Sequence, residues 1–220
     1  MSGDENEAPM MWSANDAGSG YGFQTYQKAP LMLSMLGGIV GDAAVQKAMS
    51  EYAKAWAFKH PSPWDFVNFM TNQLKQELNW FWYYWLWTTE SVDGSIDRVT
   101  TTGVKTVVTV RQAGQMPSPV VLKVQLAAGA TPAAGLKTRA PIVQPGGTVQ
   151  IVDDSTAILT WPVEVWFNGS RTFEATIDVG GRAISVMTLD PSCRFPDRTP
   201  ADNVWPKPAE GAPAARQCGG

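Results

Sequence analysis

The residues able to carry acid–base, nucleophilic or metal chemistry are few. The 220-residue sequence has one histidine, His60, and two cysteines, Cys193 and Cys218. A catalytic zinc takes about three protein ligands drawn from His, Glu, Asp or Cys, and an H-E-x-x-H pair cannot be written with one histidine. A Ser/His/Asp set is no better supported, because His60 lies between Lys59 and Pro61, where a helix should stop. The cysteines stand in a Pro-rich C-terminal stretch, and their spacing does not establish whether they pair. Asp153-Asp154 reads as a turn at a strand end. Asp93 and Asp97 lie where the sequence pattern changes, so capping or a surface ion pair is their default role. Gly37-Gly38 and Gly180-Gly181 lack the strand-to-helix context and the lysine of a phosphate loop.

Bulk properties narrow the classes further. The formal charge of −3 and the lack of a basic stripe argue against a nucleic-acid partner. The start of the chain, Met1-Ser-Gly-Asp-Glu-Asn-Glu, is acidic and polar, unlike a signal peptide or a transmembrane segment. As given, the chain therefore reads either as cytoplasmic or as a piece of something longer.

Two kinds of element must position whatever chemistry there is. Residues 1–25 are rich in Gly, Asp, Asn and Ser and read as a loop or N-terminal extension. Pro30 suits a first helical position, followed by an apolar stripe of Leu31, Met32, Met35, Leu36 and Ile39 in a short helix that ends around Gly37, Gly38 and Gly41. Asp42 is a candidate cap for a second helix, in which Val45, Met49, Tyr52 and Trp56 recur on one face. Ser62-Pro63-Trp64-Asp65 is a capping-box start for a third, with Phe66, Phe69, Met70 and Leu74 on its buried side. Seven of the eight residues from Trp80 to Trp87 are aromatic. A segment apolar on every side is normally interior or membrane-associated, and eight residues are too few for a span, which needs about 20. A helix wedged between layers is the expected outcome, with a carbohydrate platform or membrane-interface patch as alternatives.

From Val104 the period becomes two. Strands are expected at 104–111, 122–126, 149–152, 157–167, 172–179 and 183–188, with Asn168-Gly169-Ser170 and Gly180-Gly181 as hairpin turns. This predicts an α+β chain: an N-terminal α-helical segment over 26–95 followed by an antiparallel β-sandwich over 96–206. The Ala/Gly/Pro-rich stretch at 127–147 has no assigned structure. The residues after Pro191 should drape over the surface or be disordered, and 207–220 form a disordered tail.

Several of these segments match a known family in order and spacing. Tyr26-Gln27-Lys28-Ala29-Pro30, Glu51-Tyr52, Trp56-Ala57-Phe58-Lys59-His60-Pro61, Pro63-Trp64-Asp65-Phe66 and Leu78-Asn79-Trp80-Phe81-Trp82 with Thr88-Thr89 carry the match. They resemble the region downstream of the zinc site in gluzincin (aminopeptidase N-like, M1) metallopeptidases. The segments Leu189-Asp190-Pro191, Phe195-Pro196-Asp197 and Asn203-Val204-Trp205 resemble the close of the terminal β domain in one bacterial branch.

The resemblance implies removal of N-terminal residues from peptides. Enzymes of that family use a zinc-bound water, a glutamate base within H-E-x-x-H and a distal Glu ligand. A tyrosine in a Tyr-x-Lys-Gly-like motif then donates to the oxyanion of the tetrahedral intermediate. Tyr26 matches that tyrosine and Lys28 the lysine, while Ala29-Pro30 departs from the usual glycine. The alternative role for Tyr26 is an anchor for the first helix. The zinc ligands and the base have no counterpart here, so zinc is expected only in an N-terminal peptidase portion or a neighbouring chain. That portion could dock on Met10, Met11 and Trp12, and the assembled pair would take a peptide substrate. The competing expectation is a non-catalytic module that binds a protein partner, a glycan or a membrane surface. The parent family is often exported.

Overall fold

The computed structural model describes residues 7–128 and 135–208. It divides into two units, Met1–Glu90 and Ser91–Gly220.

The first unit is helical. Its first helical turns, Gly18–Gly20 and α1 (Tyr21–Phe23), lead through a π turn at Gln24–Lys28 into α2 (Ala29–Val40). The stretch expected as loop to residue 25 is therefore helical from Gly18. Pro30 accounts for the wide turn. It has no N–H to give the Tyr26 carbonyl, and the Ala29 N–H reaches back to the Gln24 carbonyl, the five-residue spacing of a π turn. Gly41, with φ 93°, separates α2 from α3 (Asp42–Trp56). Gly41 occupies the N-cap and Asp42 is the first helical residue, where its charge favours the helix N-terminus without capping it. In α4 (Pro63–Leu74) the capping box forms as expected: Ser62 Oγ accepts the Asp65 N–H, and the Asp65 carboxylate accepts the Ser62 N–H at 2.8 Å.

The aromatic run forms α5 (Asn79–Trp82) and a second π turn, Tyr83–Trp87. Phe81, Trp82, Trp85 and Leu86 are buried, but Tyr83 is 56% exposed. So short a segment turns one broad face inward, and the phenol of Tyr83 stays on the hydrated side. Trp82 packs edge-on against Phe66 and donates its indole N–H to Thr71 Oγ1 at 2.9 Å, which ties the run to α4.

The second unit holds two antiparallel sheets. One has the order β1-β2-β7-β4 and the other β5-β6-β3-β8-β9. Their strands are β1 (Gly94–Thr102), β2 (Lys105–Gln112), β3 (Val120–Leu126), β4 (Ile142–Val143), β5 (Thr148–Ile151), β6 (Thr156–Trp161), β7 (Thr172–Asp178), β8 (Ile184–Leu189) and β9 (Val204–Trp205). Val108, Val110, Ala175 and Ile177 of one sheet and Leu122, Val124, Leu159 and Met187 of the other are buried. Trp161 and Phe173 meet across the sheets with ring centroids 5.6 Å apart. This is a β-sandwich.

Several strand expectations need correction. β1 is an additional strand, turned into β2 through Gly103 (φ 61°) and Val104, so Val104 is a turn residue. The expected strand 157–167 ends at Trp161, because Pro162 breaks it and a 3-10 turn, Val163–Trp166, follows. The Asn168–Ser170 and Gly180-Gly181 turns are not hairpins, since β6 and β7, and likewise β7 and β8, belong to different sheets. β4 lies in the stretch that the sequence left unassigned. Past Pro191 the chain contributes β9, which pairs with β8. Residues 129–134 and most of the expected tail, Cys218 included, lie outside the described residues.

Candidate functional site around the first π turn

Tyr26 sits in the middle of the π turn Gln24–Lys28 and is 76% exposed. Its neighbours two residues away on either side point the other way. Gln24 and Lys28 are both buried, and Lys28 is 1% exposed. The Gln24 amide donates to the Ala8 carbonyl. The Lys28 ammonium pairs with the Glu7 carboxylate and donates to the Thr88 carbonyl at 3.1 Å. Thr88 directly follows the second π turn, and its hydroxyl donates to the Tyr84 carbonyl at 2.7 Å. Met11 N–H reaches the Leu86 carbonyl at 3.0 Å. The segment Glu7–Met11 is thus bonded to both π turns, and Lys28 links the first turn to the residue that ends the second.

The sequence reading names Tyr26 but not Gln24, Lys28 and Glu7 as a group. Lys28 carries the motif resemblance, and the four-residue spacing of Gln24 and Lys28 around Tyr26 places both on one helical face; Glu7 has no such signal. Chemically, the arrangement offers an exposed phenol on a backbone whose inner side is held by a buried ion pair and two further hydrogen bonds. Such a phenol can donate a hydrogen bond to an incoming oxygen.

The other sequence candidates lie elsewhere. His60 is exposed beyond the end of α3. Asp153 accepts the Ser155 N–H at 2.7 Å and shapes the β5–β6 turn, as its sequence suggested. Asp97 marks a register break in β1, so its place is a β-bulge rather than a passage between elements. Asn168-Gly169-Ser170 has the N-x-S spacing of a glycosylation acceptor, since Ser170 and not Arg171 is its third residue. In the structure the Asn168 side chain accepts the Ser170 N–H at 2.8 Å, an Asx turn.

A set of carboxylates in the second unit went unnoticed in the sequence. Asp190 accepts the N–H groups of Phe195 at 2.8 Å and Arg194 at 3.1 Å, yet burial pushes it up to about 6. Asp197 accepts the N–H groups of Gly94 at 2.8 Å and Thr199 at 2.7 Å, and burial raises it as well. Burial, then the charges of Asp197 and Asp93, push Asp202 up to about 6. Asp197 fastens the closing segment to β1, and Asp190 holds the turn that follows it. Among the described residues no group of three His, Cys, Asp or Glu side chains could hold a metal ion. With His60 alone and exposed, the residues present do not fit a catalytic zinc.

Residues 5–85 match the model of the peptidase family M1 domain. The helical unit is M1-like. The matched range contains the whole Tyr26 site apart from Thr88. Over 82% of its length the chain also shares a fold with part of Legionella pneumophila aminopeptidase A, solved in complex with aspartic acid, at 12% identity and a TM-score of 0.53. The chain spans 18% of that larger structure. A chitin-binding domain of a Pyrococcus furiosus chitinase aligns with 46% of this chain and 93% of its own, at 20% identity, but its TM-score of 0.29 supports no shared fold. No curated protein matches the chain.

Proposed function

We propose that this chain is the zinc-free C-terminal portion of an aminopeptidase-like metallopeptidase. In this reading Tyr26 donates its phenolic hydrogen to the oxyanion that forms when the scissile carbonyl of a peptide becomes tetrahedral. The surrounding M1-like helices wall the substrate site. The zinc, the base and the remaining ligands come from an N-terminal portion, in the same polypeptide or in a neighbouring chain.

The observation that carries this reading is the M1 match over residues 5–85, with Tyr26 inside it on an exposed, braced turn. A phenol that is to meet a substrate needs that exposure. A donor aimed at a developing negative charge also gains from a fixed backbone, because it then needs no reorganisation at the moment of reaction. The Lys28 and Gln24 contacts support that condition.

The test combines metal analysis with hydrolysis of amino-acid anilides. The chain alone should bind no stoichiometric zinc and release no product. Joined to or mixed with a zinc-bearing M1 portion it should become active, and Tyr26→Phe should then lower kcat by about 10²–10³-fold, the usual effect of losing one oxyanion donor. Zinc or hydrolysis in the chain alone would defeat the proposal, as would an assembled enzyme indifferent to Tyr26→Phe.

A further inference from the structure

We propose that Lys28 is a positioning residue for Tyr26, acting through the backbone of the π turn and not on substrate. The inference rests on the reading of Tyr26 given above and deepens it.

A lysine that is 1% exposed needs a reason. Burying an ammonium is costly unless it is paired and hydrogen-bonded, and Lys28 has both kinds of partner, the Glu7 carboxylate and the Thr88 carbonyl. Glu7 itself is withdrawn from solvent, its side chain 0% exposed. Neither group faces the side of the turn on which Tyr26 is exposed, so neither is placed to touch a substrate there.

What the pair does is hold a weak element in one geometry. A π turn is a poorly favoured helical state that persists where its surroundings determine it. Here Pro30 removes a helical donor just beyond it. Gln24 at the first position of the turn and Lys28 at the last are both tied inward, to Ala8, Glu7 and Thr88. Tyr26 lies midway between these two anchors, on the opposite side. Pro30 sets the wide winding, and freeing one anchor lets that turn shift against the segment behind it, which displaces the intervening residue. A displacement of about 1 Å in a catalytic group can cost on the order of 10²-fold in rate.

The experiment has two readouts on Lys28→Met, Lys28→Arg and Glu7→Gln. The first uses the full chain by itself and follows amide hydrogen exchange at Ala29, whose N–H closes the π turn on the Gln24 carbonyl. Lys28→Met should speed exchange at Ala29 by about tenfold or more while α4 amides keep their protection, the signature of local opening. Lys28→Arg should restore most of it. Unchanged exchange at Ala29, or an equal loss throughout α4, would overturn the proposal. Should Lys28→Met fail to fold, Glu7→Gln, which keeps the ammonium and its bond to Thr88, gives the same comparison in milder form.

The second readout uses the chain assembled with its zinc-bearing portion. Lys28→Met should lower kcat while KM holds, and Lys28→Arg should recover most of the loss. If Tyr26→Phe is damaging and Lys28→Met is not, the positioning role alone falls. If Tyr26→Phe leaves kcat unchanged, the oxyanion reading falls and the positioning role with it.

Discussion

Asp202 shows how a single side chain can set a pH response. Burial, followed by the charges of Asp197 and Asp93, pushes its carboxyl up to about 6, against 3.8 for an ordinary aspartate. Between those two values the folded chain holds a proton that the unfolded chain has released. Stability from this group is therefore fully present below about 3.8 and is lost as pH rises through about 6. Asp190 contributes with the same sign. In calorimetry the second unit should melt at a higher temperature near pH 5 than near pH 7.5, and Asp202→Asn should flatten that difference. A melting temperature that rises from pH 5 to 7.5 would contradict the assignment. Tyr26 could be picked out from its motif, because residue type and spacing carry that resemblance. The burial of Lys28 and the clustering of Asp190, Asp197 and Asp202 could not. Each depends on a partner distant in sequence, such as Glu7 for Lys28 or Gly94 for Asp197.

Elements differ in how much of their cause is local. The α4 start is local: Ser62 and Asp65 satisfy each other's backbone N–H groups without outside help. Ser62→Ala should lower stability by about 1 kcal/mol, measured by urea denaturation, with the rest of α4 still helical by circular dichroism. The β1–β2 connection is local too, but β1 itself is rich in Thr and mostly exposed, so it lacks the apolar alternation that marks β2. The Gly turns after β6 and β7 illustrate the opposite case. Gly169 and Gly180 do adopt positive φ, yet whether such a turn closes a hairpin or crosses between sheets depends on which sheet each strand joins. Gly114 is another position read only in three dimensions. A Cβ there would lie 2.2 Å from the Ser91 carbonyl oxygen and 2.6 Å from the Asp93 nitrogen. Both obstacles are backbone atoms, so Gly114→Ala should destabilise the second unit by about 1–3 kcal/mol, seen as a lower urea midpoint. A neutral result would mean that this backbone crossing yields easily.

At the scale of the molecule, the chain comprises a helical unit, most of which matches the M1 domain model, and a β-sandwich unit, and it spans 18% of the aminopeptidase whose fold it shares. With one histidine in the sequence and no three-residue metal group among the described residues, a chelator should leave the melting curve of this chain unchanged. A drop in melting temperature on chelation would point to a metal that the residues do not suggest. The sequence by itself determined the two-part α+β plan and the Tyr26 motif, and its single histidine argued against a zinc set. Periodicity, capping residues and side-chain chemistry are properties of neighbouring residues, and they act at short range. Only the tertiary structure decided which strands share a sheet, that the chain past Pro191 supplies β9, and that Lys28 is buried against Glu7 and Thr88 behind Tyr26. Those outcomes follow from pairing and desolvation between residues far apart in the chain, whose free energy exists only once the partners meet.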